Sequence, residues 1–156
     1  MATKKKRIDP SKIHADYVID MRENAKWFAE VQYSSTLSGP KGHKQVEMSS
    51  IPTFNIRGHL SFTQSKKVKV GNPVDVRIYV DEEGRVQEFI GIIDKYKEVL
   101  QVVMWLPWEI VNHMHMTFIS GKAEMVTVFG TELYRRSASV WGIDTKAEYD
   151  IQDYID

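Results

Sequence analysis

The sequence predicts an α+β chain that is mainly β, an N-terminal amphipathic helix followed by a roughly seven-stranded antiparallel barrel or bent sheet. Three observations predict it. Asp9-Pro10 opens a run of apolar residues at helical spacing, residues from Trp27 onward alternate with a period of two, and turn-forming residues separate the alternating runs.

Asp9 reads as an N-cap with Pro10 at the first helical position. Ile13, Tyr17, Met21, Ala25 and Phe28 then recur at helical spacing, which predicts a helix over 10–26. The period changes at Trp27, Ala29, Val31 and Tyr33, a strand, and Ser38 to Lys44 is a loop on composition. Ile56, Gly58, Leu60 and Phe62 alternate with polar neighbours as a half-buried strand. After the Gly71-Asn72-Pro73 turn, Val74, Val76, Ile78 and Val80 do the same. Asp81-Glu82-Glu83-Gly84 reads as a hairpin turn into a strand from Val86 to Ile93. A second turn at Lys95 to Glu98 leads into Val99–Leu106, apolar on both faces except at Gln101 and so expected at the sheet centre. Met125 to Phe129 and Leu133 to Ile143 supply two more strands.

The stretch Asn112-His113-Met114-His115-Met116 separates two readings. As a helix opened by Pro107 it has a stripe of Ile110, Val111, Met114 and Phe118, and its two imidazoles point apart. As a strand it puts Met114, Met116 and Phe118 on one face and both imidazoles on the other. Thr117, Phe118 and Ile119 favour a strand and Leu106 is a poor helix cap. One helical turn over 107–112 followed by a strand is therefore the expectation. The strand would return through Ser120 to Ala123, pairing Phe118 with Met125 and Met116 with Thr127.

The chain has 156 residues, 42% of them hydrophobic, and no cysteine. That length suits one domain, here 10–143, between a basic flexible head over 1–9 and an acidic tail over 144–156. Disulfides and thiolate chemistry are excluded. Basic and acidic residues balance at 21 each, but unevenly along the chain. Lys4, Lys5, Lys6, Arg7 and Lys12 face only Asp9 in the first twelve residues. Asp144, Glu148, Asp150, Asp153 and Asp156 face only Lys146 at the other end. No apolar run follows the head as in a secretory signal, and none is long enough to span a bilayer, so a cytoplasmic location without a membrane partner is expected.

Four groups of residues are candidates for function. His113 and His115, side by side on a strand, are a chelating pair for zinc, copper or iron, although no co-ligand stands at a recognisable spacing. Gly39-Pro40-Lys41-Gly42 has glycine spacing that clamps nucleic-acid backbones between two helices, but here a strand precedes it, so a surface loop is expected. Tyr134, Arg135 and Arg136, extended by Arg57 and His59 on another strand, offer stacking surfaces and cations for nucleic acid. Trp105 and Trp108 flank Pro107, and Trp108 is the candidate for an exposed interface anchor. Ser137 to Gly142 has serine where the D-x-S-x-x-G element of PilZ barrels has an acid, so it is not read as that element. No nucleophile elbow, dinucleotide fingerprint or P-loop is present, which leaves no assigned catalytic residue and no expected cofactor.

The leading expectation is a non-catalytic binding or assembly module that oligomerises, its partner being itself or another protein. A nucleic-acid-binding protein using the head, Arg57, His59, Tyr134, Arg135 and Arg136 is the second reading. A metal-dependent enzyme using His113 and His115 is the third.

Overall fold

The computed structural model describes residues 9–39, 41–42, 45–81 and 88–146, with backbone alone at 32–34, 36–38, 45–51 and 146. The basic head before Asp9, the acidic residues after Lys146, the Glu82–Gly84 part of the expected turn, and Pro40, His43 and Lys44 lie outside the described residues.

Asp9 does cap a helix, accepting from the Ser11 amide at 3.0 Å, but it is a single 3-10 turn, Pro10–Lys12. The expected helix over 10–26 is overturned, because the chain becomes strand β1, His14–Asp20, directly afterwards. Tyr17, Val18 and Ile19 are aromatic and β-branched, and all three are fully buried. The helical spacing of Ile13, Tyr17 and Met21 was a coincidence of a run buried on both sides. Tyr17 donates its phenol to the Thr131 carbonyl at 2.8 Å, and burial pushes its pKa up, so it stays a neutral donor.

The other strands are β2 (Lys26–Ser38), β3 (Gln45–Thr63), β4 (Pro73–Val80), β5 (Gly91–Tyr96), β6 (Val99–Leu106), β7 (Met125–Thr131) and β8 (Ser137–Lys146). Seven of them close a barrel in the order β1-β7-β8-β5-β6-β4-β3, with β1 meeting β3 again through Tyr17↔Thr63. Inside lie Tyr17, Phe54, Ile56, Ile78, Ile93, Leu100, Met104 and Val128. β6 alternates buried Leu100, Val102, Met104 and Leu106 with outward residues, so the two apolar faces read from the sequence are one core face and one partly wet wall.

The barrel is mixed rather than antiparallel. β4 and β6 run parallel, from Val74↔Leu100 to Val80↔Leu106. The expected turn after Asp81 lies mostly outside the described residues, and the next described strand, β5 from Gly91, pairs with β6 and β8 and not with β4. Alternation assigns each strand its inner face but does not choose its neighbour. The long connection from β4 through β5 to β6 is the crossover that a parallel pair requires.

Residues Trp108–Ile119 form one helix, α1, which overturns the expected strand at 113–119 and its hairpin to Met125. Pro107 occupies the cap position without a side-chain cap bond. What stabilises the helix is burial of Val111, Met114 and Phe118 against the barrel end. The Phe118 ring lies 5.1 Å from Phe54 and 5.7 Å from Trp27. α1 is the one helix of this length among the described residues, and no described helix is long and apolar enough to cross a membrane.

The chain passes from β1 to β2 through a turn held by Asp20. Arg22 donates to Asp20 from Nε at 3.0 Å, from Nη2 at 2.9 Å and from its backbone amide at 2.9 Å. The Arg22 side chain is the main cause holding the Asp20 carboxyl below the usual carboxylate range, against the opposing effect of burial. A depressed folded-state pKa gives stability that is present above the unfolded value, about 3.9 for Asp, and lost as pH falls through the folded one. The stability lead of the parent over Asp20→Asn is therefore expected to be full at neutral pH and to shrink below about pH 4. Urea midpoints measured across that range check it, and a lead that grows on acidification contradicts it.

Candidate functional site

The direction of β6 defines two poles. α1 follows its end, so the end of β4, the start of β7 and the end of β1 share the α1 pole. The β3–β4 loop over 64–72, the Lys97-Glu98 turn and the β7–β8 turn lie at the opposite pole with the N-terminal 3-10 turn.

β3 carries the chain past the barrel at the α1 pole. It pairs with β4 only from Thr53↔Tyr79 to His59↔Pro73, whereas its pairing with β2 runs on from Pro52↔Val31 to Gln45↔Ser38. Residues 31–38 and 45–52 therefore form a two-stranded ribbon. Its two strands pair with each other and, among the described residues, with no third strand. Pro52 sits where β4 ends, a position that tolerates a residue without an amide donor. Val31, the first ribbon residue, is 68% exposed.

Beside the ribbon, α1 presents Trp108, Ile110, Met116 and Ile119 outward, with Trp108 55% exposed. The adjacent strand ends add Trp105, whose ring centroid lies 6.3 Å from that of Tyr79, with the rings 20° from parallel. Trp108 is thus exposed at the pole that carries the ribbon.

The histidines are not. On a helix His113 and His115 are roughly 200° apart, so the side-by-side pair is gone. His113 is exposed, while His115 is half-buried, 5.5 Å from the Trp27 ring and 5.8 Å from Phe54. Among the described residues no group of three or more His, Asp or Glu could hold a metal ion.

Arg57 and His59 do share the outer wall of β3. Arg57 Nε lies 3.2 Å from an Asp75 oxygen and the guanidinium lies 5.0 Å from the Phe28 ring centroid, so it is engaged within the wall. Tyr134, Arg135 and Arg136 are not on a strand face but in the β7–β8 turn, closed by reciprocal backbone bonds between Tyr134 and Ser137. β1 and β7 separate this turn from β3, so the structure does not unite the two groups.

Sequence reasoning missed the ribbon, whose signal was the length of alternation on both sides of the glycine-containing stretch at 39–42. The class defined by fold and site is a closed mixed barrel carrying a protruding two-stranded ribbon and an exposed aromatic helix at one pole. Comparison with protein-family models, with curated proteins and with solved structures found no match.

Proposed function

We propose that this protein is a non-catalytic assembly module that associates with further copies of itself through the β2–β3 ribbon, with the Trp108 face of α1 contributing. The observation that supports the reading is the ribbon's open edges. Barrel closure pairs most described strands on both sides, yet β2 and the first half of β3 keep open edges over a longer span than β8 does beyond Val140. A two-stranded ribbon is marginal alone in water, and adding a strand from another chain satisfies its outward amides and carbonyls. A second copy offers the same ribbon, so an isologous pairing closes on itself. Trp108, Met116 and Ile119, exposed on one side of α1 at the same pole, supply the apolar area such an interface needs.

The test replaces residues 34–49 with Asn-Gly, which keeps Val31↔Pro52 to Tyr33↔Ser50 and supplies a two-residue hairpin turn. Light scattering after size exclusion is expected to show an oligomer for the parent and a monomer for the trimmed chain, which still unfolds cooperatively but with a melting temperature that no longer depends on protein concentration. A monomeric parent, or a trimmed chain of the parent's stoichiometry, sinks the proposal.

A further inference from the structure

The pole opposite α1 gathers cations from three turns far apart in sequence. The β3–β4 loop supplies Lys66, Lys67 and Lys69, the β5–β6 hairpin Lys95 and Lys97, and the β7–β8 turn Arg135 and Arg136. The turns are tied together. The Lys95 amide donates to the Arg136 carbonyl at 2.7 Å, and the Lys95 ammonium donates to the Lys67 carbonyl at 3.0 Å. Glu132 joins the first and third turns by accepting from the Ser65 hydroxyl and from the Lys66 amide at 3.0 Å. Six of the seven cations are exposed, Lys95 being the exception.

Five carboxylates stand near these seven cations and keep their charge, four of them accepting hydrogen bonds. Glu132 is held as described, Asp94 accepts from the Ser137 hydroxyl at 2.5 Å, Asp9 from the Ser11 amide and Asp16 from His14. Glu98 is the exposed acid in the Lys97 turn. None of the seven cations forms an ion pair with a described residue. Because the whole chain balances 21 basic against 21 acidic residues, the concentration at this pole comes from folding, not composition.

Two exposed tyrosines interleave with the cations. Tyr96 is 62% exposed, with the Lys97 ammonium 5.7 Å from its ring centroid, and Tyr134 is 54% exposed under the Arg135 guanidinium at 5.3 Å. The β7–β8 turn also carries strain. Arg135 and Arg136 have φ of 55° and 98°, in a two-residue hairpin loop where Asn-Gly is preferred.

We infer that this pole binds single-stranded nucleic acid. The lysines and arginines contact phosphates while Tyr96 and Tyr134 stack on unpaired bases. An aromatic ring reaches a base face only where the strand is open, which favours single strands over a duplex. This site uses Tyr134, Arg135 and Arg136 but not Arg57, and it is independent of the ribbon.

Fluorescence anisotropy with a labelled oligothymidylate of about 20 nucleotides, titrated between about 50 and 200 mM salt, tests it. The full chain is expected to bind with affinity falling steeply with salt. The triple variant Lys67→Gln, Lys97→Gln, Arg136→Gly should lose tenfold or more at low salt and flatten the log–log salt slope by about 2, at roughly 0.7 per phosphate contact. Its glycine relieves the strained φ, so the fold is retained. The double variant Tyr96→Ala, Tyr134→Ala should lose about tenfold or more with the slope kept. Arg57→Gln should bind as the parent does. No binding at the lowest salt overturns the inference, as does a triple variant with the parent's affinity and slope, which leaves the Lys4–Arg7 head as the binder. Binding to phosphatidylserine vesicles without binding to the oligonucleotide also overturns it.

Discussion

Gly91→Ala is expected to lower stability by about 3 kcal/mol or more, among the largest effects of any single methyl added to this chain. A Cβ at Gly91 would stand 2.3 Å from the Val103 carbonyl oxygen, 2.6 Å from Met104 Cγ and 3.0 Å from Met104 Cα. The first and last of these are backbone atoms, so a rotamer change cannot relieve the overlap. β5 itself must move, and β5 is held on both sides, by Gly91↔Met104 on β6 and Gly91↔Val140 on β8. Displacing it opens the barrel between these two strands. Because a domain of this size shifts by about 2–4 °C per kcal/mol, thermal denaturation should register a loss of about 6 °C or more. A melting point within a degree of the parent's would mean that β5 does not approach β6 as described.

Phe118→Ala should cost about 3–5 kcal/mol, from the lost apolar area together with the cavity left behind. Phe118 is 4% exposed and packs its ring against Phe54, itself fully buried, and against Trp27 at the root of the ribbon. Removing it unseats α1 from the barrel end and loosens β2 at Trp27. Urea unfolding is therefore expected to show a lower midpoint, and tryptophan fluorescence a shift of the Trp27 environment before global unfolding. The exposed neighbour Ile119 is the control, since Ile119→Ala should fall within about 0.5 kcal/mol of the parent. Equal effects at the two positions would place the helix on a different face.

Strand identity was legible at β4, where one face is wet. Val74, Val76 and Ile78 alternate with Asp75, Arg77 and Tyr79, and the barrel uses that alternation as inside and outside. It failed at β1, where Val18 is buried as completely as its inward neighbours and no wet face marks the period. Strand partners were not legible, because the parallel β4–β6 pair follows from the route of the chain through β5.

The helix at Trp108–Ile119 was half legible. Its buried stripe of Val111, Met114 and Phe118 stood in the sequence, but the β propensity of Thr117, Phe118 and Ile119 and the missing cap argued against it. Packing onto the barrel end outweighed both, since most helix stability in a protein comes from the buried face. Trp108, singled out because tryptophan is enriched at interfaces, is 55% exposed. At the opposite pole Arg135 and Arg136 were candidates in the sequence, but their convergence with Lys67 and Lys97 was not legible, because it arises only when three turns meet.

The proposed division of labour gives each pole its own chemistry, strand edges and aromatics where α1 sits, cations and tyrosines at the other end. The central claim is that the ribbon edges are paired between copies. Alternate amides of 31–38 point away from β3, and on an open edge they exchange with solvent within seconds. Hydrogen exchange read by mass spectrometry on peptides covering 31–38 and 45–52, at high and low protein concentration, measures their pairing directly. The account predicts slow exchange of those amides at high concentration, lost on dilution. Rapid exchange of half the ribbon amides at every concentration would contradict it.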